Sequence, residues 1–217
     1  PFDAGTAYAA VNRYKLDDFK PYIFKTSDFG KSWKKIVTGI PDNEFTHVVR
    51  EDPNRKGLLY AGTERGIYVS FDDGGRWQPL RLNLPITPIH DIAIQAREKD
   101  LVVATHGRSF WVLDDLTPLY QLNDNVARSD FHLFQPRDPY RMGGFSFDRP
   151  GLALGKNPPA GAVIYYYFGK KPSDKDTVKL EFQEADGTVI KSFTHREEKS
   201  DGGEEGPPSS DEGPNVP

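Results

Sequence analysis

The chain has 217 residues, no cysteine and a formal net charge of −4. That length holds one large domain or two small ones. The missing cysteines exclude a disulfide framework and a thiolate metal site, and a balance this far from basic excludes a nucleic-acid footprint. No apolar run reaches the length of a membrane span, and no stretch reads as a signal peptide. Poor helical periodicity beside 20 Gly, 18 Pro and frequent aromatic residues points to an all-β chain.

In chain order, Tyr8-Ala9 and Tyr22–Thr26 read as strands, rich in aromatic and β-branched residues. Thr26-Ser27-Asp28-Phe29-Gly30-Lys31-Ser32-Trp33 follows, with the pattern hydroxyl-x-Asp-x-Gly-x-x-Trp. The pattern returns as Ser70-Phe71-Asp72-Asp73-Gly74-Gly75-Arg76-Trp77, and the Asp, Gly and Trp positions are each 44 residues apart. A period of about 40–45 residues with strand-like flanks marks a β-propeller blade. Each motif fits a hairpin turn. The Asp carboxylate caps backbone N–H groups, Gly takes φ > 0, and Trp opens the return strand with a large ring to pack.

With strands named A to D outward from the propeller axis, the second unit is complete. A is Phe45–Arg50, B is Leu58–Thr63, C is Ile67–Ser70, and D begins at Trp77. The third unit offers Ile89–Gln95, Leu101–Thr105 and Phe110–Leu113 as A, B and C; Thr63 and Thr105 match at a spacing of 42. Its turn, Leu113-Asp114-Asp115-Leu116-Thr117, lacks the Gly and the closing Trp. Phe131–Gln135 is a candidate closing strand. Pro1–Gly5 aligns with Pro53–Gly57, yet the strand that precedes the latter has no counterpart before Pro1, so a fragment cut inside a blade is expected.

A second segment is expected from about Arg137, with strands at Ala162–Phe168, Thr177–Glu184 and Thr188–Thr194. The last two are joined by an Asp186-Gly187 hairpin turn. From Glu197 onward, seven acidic residues stand against one lysine, a local charge of −6 that leaves the remainder at +2. This Gly/Pro/Ser-rich tail is expected to be disordered.

The paired motifs resemble the Asp-box, or BNR, repeat of sialidases, sortilin-type receptors and some polysaccharide hydrolases. Ala104-Thr105-His106-Gly107-Arg108-Ser109-Phe110-Trp111-Val112-Leu113-Asp114-Asp115, with Asn157-Pro158-Pro159-Ala160-Gly161-Ala162 after it, is similar to a group of large bacterial sortilin-like propeller proteins. These carry an immunoglobulin-like domain after the propeller and are often labelled glycosyl hydrolases. The resemblance implies an all-β fold, a partial propeller of about three blades followed by the start of an immunoglobulin- or fibronectin-like sandwich. The domains expected are 1–136 as propeller blades, 137–195 as a partial sandwich and 196–217 as tail. It also implies export from a bacterial cell. In the family the box Asp belongs to the fold, so Thr26, Asp28, Gly30, Trp33, Ser70, Asp72, Gly74 and Trp77 are assigned a structural role.

Connectivity separates the faces of such a propeller. The boxes are C–D turns and lie away from the B–C loops, where the resemblance places ligands. The B–C loops contain Asn12–Lys20, Glu64-Arg65 and His106-Gly107-Arg108. The first is eight residues longer than its neighbour, since the repeat spacing falls from 52 to 44 across it. Candidate ligand residues are therefore Tyr14, Lys15, Asp17, Asp18, Glu64, Arg65, His106 and Arg108. As a solvated insertion the long loop would be tolerated equally well, and Arg108 would serve as a scaffold partner of Asp114 or Asp115. His47 and His90 read as non-matching repeat positions, and no histidine pair has metal-ligand spacing, so neither metal nor cofactor is expected. The function expected is non-catalytic binding or scaffolding, with a peptide or glycan ligand and the remaining blades of the parent chain as partners. The alternative is part of a glycoside hydrolase, with Glu64, Asp17 and Asp18 as the available acids.

Overall fold

A computed structural model describes residues 1–140, 161–173 and 176–195. Three antiparallel sheets follow one another along the chain. The first holds β1 (Ala7–Arg13), β2 (Asp18–Thr26) and β3 (Lys34–Lys35) in that order. The second holds β4 (Thr46–Glu51), β5 (Leu59–Thr63), β6 (Ile67–Ser70) and β7 (Gln78–Pro79), and the third β8 (Ile89–Gln95), β9 (Asp100–Thr105) and β10 (Phe110–Leu113). Each is an up-and-down meander, and none closes on itself. β4 lies against both β1 and β8, so the leading strands of successive sheets share one axis-side edge. The chain is all-β, a partial β-propeller of three consecutive blades.

Two apolar interfaces hold the blades together. Val49, Leu59, Ala61, Tyr68 and Trp77 of the second blade meet Ile23, Ile36 and Ile40 of the first. Val48, Leu58, Tyr60, Ile67 and Val69 point the other way, onto Ile89, Ile92, Leu101 and Val103 of the third. This is strand alternation with both faces covered, and every residue of β5 is buried. The blades approach so closely that a Cβ on Gly62 would lie 2.7 Å from the Ile89 carbonyl oxygen. Thr46, fully buried, donates its hydroxyl to the Tyr22 carbonyl at 2.8 Å, tying the second blade to the first.

The two boxes fold alike. In the first, Thr26 Oγ1 donates to Asp28 Oδ1 (2.8 Å) and accepts from Gly30 N (3.0 Å), while Ser32 N donates to Asp28 Oδ1 (2.9 Å). In the second, Ser70 Oγ donates to Asp72 Oδ1 (2.8 Å), Gly74 N donates to Ser70 Oγ (2.9 Å), and Arg76 N donates to Asp72 Oδ1 (2.9 Å). Gly30 and Gly74 sit at φ 82° and 83°, the left-handed region that glycine enters without strain. Their tryptophans differ. Trp77 is 2% exposed, its Nε1 donates to the Ile36 carbonyl at 2.8 Å, and its backbone runs against Gly39, where a Cβ would lie 2.2 Å from the Trp77 oxygen. Trp33 is 48% exposed. The ring packs on the blade before it, and within this chain the first blade has none before it.

Past β10 the chain leaves the blade pattern. No fourth strand joins the third sheet among the described residues; instead α1 (Thr117–Gln121) and α2 (Asp124–Arg128) follow. Asp115 accepts from the Thr117 amide, Pro118 stands in the first turn, and Asn123 Oδ1 caps Asn125 N and Val126 N. Leu116, Leu119 and Tyr120 then cover the apolar interface of the third blade. β11 (Phe131–Leu133) pairs with β12 (Tyr166–Phe168), so the strand expected over Ala162–Phe168 is shorter and joins the candidate closing strand.

Contacts divide the chain into a unit Pro1–Gly169 and a unit Lys170–Pro217. In the latter, β13 (Val178–Gln183) and β14 (Val189–His195) form the expected hairpin. Gly187 takes φ 88°, and Asp186 accepts from Thr188 N at 2.9 Å. Val178, Leu180 and Phe182 alternate as its more covered face. Residues Asn157–Ala160 and the acidic tail from 196 lie outside the described residues.

Trp77→Ala should destabilise the full chain by about 3–5 kcal/mol, and Trp33→Ala by about 1 kcal/mol or less, as read from denaturant midpoints. Comparable losses would refute the packing difference. Hydrogen bonds from Ser32 and Thr26 hold the Asp28 carboxyl down to about 2, below its ordinary 3.8. Because the folded value is depressed, the stabilisation from this turn is complete above the ordinary value and lost as pH falls through about 2. Protection of the Ser32 amide, its exchange rate compared with that of an unstructured peptide at the same pH, should fall over that window and stay constant above it.

Candidate functional site

The three links β1–β2, β5–β6 and β9–β10 lie at the end of the blades opposite the boxes. The long first link is mostly strand. β1 and β2 stay paired out to Arg13 and Asp18, across a register shift between Val11 and Arg13, and only a 3-10 turn, Tyr14–Leu16, with Asp17 at φ 58°, is left to close it. The eight extra residues therefore raise a hairpin rather than a slack loop. Tyr14 in that turn stacks on Phe45, with ring centroids 5.0 Å apart and planes 22° apart; Phe19 meets the same ring at 6.1 Å.

Phe45 begins a row. Its ring contacts His47 edge-on at 5.1 Å, His47 lies 4.5 Å from His90, and His90 lies 4.9 Å from His106. Six rings thus run across three blades, Tyr14 and Phe19 at one end and His106 at the other. The two central histidines correct the expectation that they occupy non-matching positions. β4 pairs Thr46 with Thr63 and then Val48 with Gly62; β8 pairs Ile89 with Thr105 and then Asp91 with Ala104. His47 and His90 are each the extra residue of a β-bulge at the same blade position, and a bulge re-aims its side chain.

The residues opposite them match as well. Thr63 Oγ1 accepts from Arg65 N and donates to the Gly66 carbonyl; Thr105 Oγ1 accepts from Arg108 N and donates to the Ser109 carbonyl. Glu64 and His106 each follow that threonine. Glu64 Oε2 lies 2.9 Å from His47 Nε2, a side chain only 14% exposed. His90 occupies the equivalent place beside His106 instead. Burial, and then the neighbouring His47 and His106, hold the His90 imidazole below its ordinary pKa, with Glu64 opposing them.

The remaining candidates scatter. Asp18 accepts from the Tyr22 hydroxyl (2.8 Å) and Lys20 N (3.2 Å) and lies 3.2 Å from Arg13; the Tyr22 bond above all holds its carboxyl below the usual range. Lys15 and Asp17 are exposed on the hairpin tip and make no side-chain bond among the described residues. Arg65 lies 3.8 Å from Glu44. Arg108 is exposed, and its guanidinium pairs with no carboxylate among the described residues, neither Asp114 nor Asp115 included. The structure thus brings Tyr14, Glu64 and His106 into or beside one row and leaves the others at its margins.

Sequence reasoning missed Phe45, His47, His90 and Glu44. Glu44 is 4% exposed and accepts from Thr63 Oγ1 (3.1 Å) and the Tyr68 hydroxyl (2.9 Å), anchoring the floor beneath the second link. Aligning the units on Thr63 and Thr105 and allowing one residue's difference in the hairpin between the A and B strands would have superposed the two histidines. Among the described residues no group of three or more His, Asp or Glu is arranged to hold a metal ion, and no helix is long and apolar enough to cross a membrane. The open depressions lie elsewhere. One of about 360 Å³ sits between the two boxes, beside Trp33 and Asp72, and one of about 700 Å³ is lined by Arg55, Phe71 and Asn123.

No family model matches the chain, and no curated protein matches it. Among solved structures it is similar to YCF48 bound to D1 peptide, at 20% identity over 43% of this chain and 30% of that one, with a TM-score of 0.33. It is also similar to an ancestral GH74 enzyme, at 16% identity over 90% of this chain and 26% of that one, with a TM-score of 0.43. The chain thus spans less than a third of the length of either.

Burial, followed by the bond to Glu44, pushes the Tyr68 hydroxyl up to about 12. Glu44→Ala strands the Tyr68 hydroxyl, while Thr63 keeps the Gly66 carbonyl, and should cost about 1–3 kcal/mol. It should also bring the Tyr68 titration partway back toward its ordinary 10, as read by ultraviolet absorbance against pH. An unchanged titration would remove Glu44 from that role.

Proposed function

We propose that this chain is a non-catalytic binding portion of a sortilin-like, Asp-box propeller protein, taking a peptide or glycan ligand on the face of its B–C links. The ring row from Tyr14 to His106 carries the reading: neighbouring rings running across three blades, stacked at Tyr14 and edge-on or tilted beyond Phe45, suit a ligand that offers flat apolar faces in sequence. Two boxes in register support the sortilin-like assignment, with the immunoglobulin-like segment after the propeller and export from a bacterial cell as parts of the same proposal.

The acids of this face support binding over hydrolysis. Glycoside hydrolysis needs one carboxyl with a raised pKa and a second across the sugar. Asp18 is held low by its hydrogen bonds, Glu64 is engaged by His47, and Glu44 is buried under Thr63 and Tyr68.

The test is binding of the full chain to neutral glycan and peptide arrays near neutral pH. Replacing Tyr14 and Phe19 together by Ala should weaken the bound ligands about tenfold or more while shifting stability by less than about 1.5 kcal/mol. Binding untouched by the double change would remove the ring row from the site. Ligand hydrolysis abolished by Glu64→Gln would favour the glycoside hydrolase instead. Fractionation of the bacterial host tests export, and a cytoplasmic full-length protein would refute it.

A further inference from the structure

The histidines of the row are unevenly supplied with counter-charge. His47 has the Glu64 carboxylate at 2.9 Å. His90 and His106, both exposed, have no side-chain hydrogen-bond partner among the described residues. The titratable groups facing His90 are His47 on β4, His106 on the β9–β10 link and, farther along, Glu64 on the β5–β6 link. Two of these three are imidazoles, and the one carboxylate is held by His47. Arg65 is drawn to Glu44 and does not compete.

We infer that His90 and His106 form an acid-activated site for a carboxylate ligand, closed at its inner end by the His47–Glu64 pair. Imidazoles as a class gain charge in acid, and two of them 4.9 Å apart between ring centroids would then repel, a repulsion that an incoming anion relieves. Each imidazolium donates an N–H to a carboxylate oxygen, so binding takes up protons and protons favour binding. The β8 bulge aims His90 into this position, and the tight turn after Thr105 presents His106 beside it. The chemistry selected is a carboxylate attached to a flat apolar body, since the rest of the row stacks.

This rests on the reading of the B–C face as a binding surface, but the two fail separately: neutral ligands near neutral pH test that surface, and charged ones in acid test the histidines. The probes are a short peptide of alternating glutamate and phenylalanine and a galacturonic acid oligosaccharide, with the matching glutamine–phenylalanine peptide and a neutral galactose oligosaccharide as counterparts. Calorimetry of the full chain in buffers of different ionisation enthalpy, at about pH 5.5 and about pH 7.5, should show a carboxylate probe binding about tenfold or more tighter in acid, with net proton uptake. Its neutral counterpart should not change. Binding by only one acidic probe identifies the source of the carboxylate. His90→Gln with His106→Gln should abolish the acid gain. His106→Lys should keep carboxylate binding and lose much of its pH dependence. Equal affinity at both pH values, no binding in acid, or an acid gain that survives the double change would overturn the proposal.

Discussion

A short antiparallel sheet with two apolar faces cannot bury either of them alone. That constraint governs this chain. β5 is covered on both sides, by Ile23 and Ile36 from the blade before and by Ile89 and Ile92 from the blade after. The Asp boxes, the close approach of Gly62 to Ile89 and the buried Trp77 are ways of meeting that demand at short range. Stability therefore belongs to interfaces between blades more than to any blade, as in other arrays of stacked repeats.

The same stacking makes the candidate site. No single blade holds more than a fragment of the ring row; it is continuous because β1, β4 and β8 come together at one edge. Phe45, 7% exposed, is buried beneath the hairpin tip, and its ring is the one on which Tyr14 stacks. The carboxylates nearby mostly support this arrangement. Glu44 satisfies buried hydroxyls, and Glu64 orients His47, which keeps the inner half of the row polar but paired.

Much of the architecture was legible from spacing. The interval of 44 residues between Asp28 and Asp72 located two turns, and three strands, Ile67–Ser70, Ile89–Gln95 and Phe110–Leu113, have the limits their composition suggests. The helices after β10 were not legible, because each is about one turn long and is held by local caps and by contact with the third blade rather than by a periodic apolar face. The burial of Trp77 and the exposure of Trp33 share one motif and differ only in what lies beside them. The histidine row hid for a different reason. Both A strands carry the same bulge, which cancels in the repeat count; the β8–β9 hairpin is one residue shorter from histidine to threonine than the β4–β5 hairpin, so the histidines stand 43 residues apart and the threonines opposite them 42 while sharing a place in three dimensions.

The bulge at that place has an evolutionary consequence. A residue outside the strand ladder is released from the alternation that commits its neighbours to the core, and the residue after Thr63 or Thr105 is released likewise by its turn. The second and third blades thus each carry a pair of letters, His and Glu in the second, His and His in the third, that can be rewritten without disturbing the spelling of the interior. A lineage that duplicates such blades can vary these positions one pair at a time, while selection on folding acts on a separate set of positions.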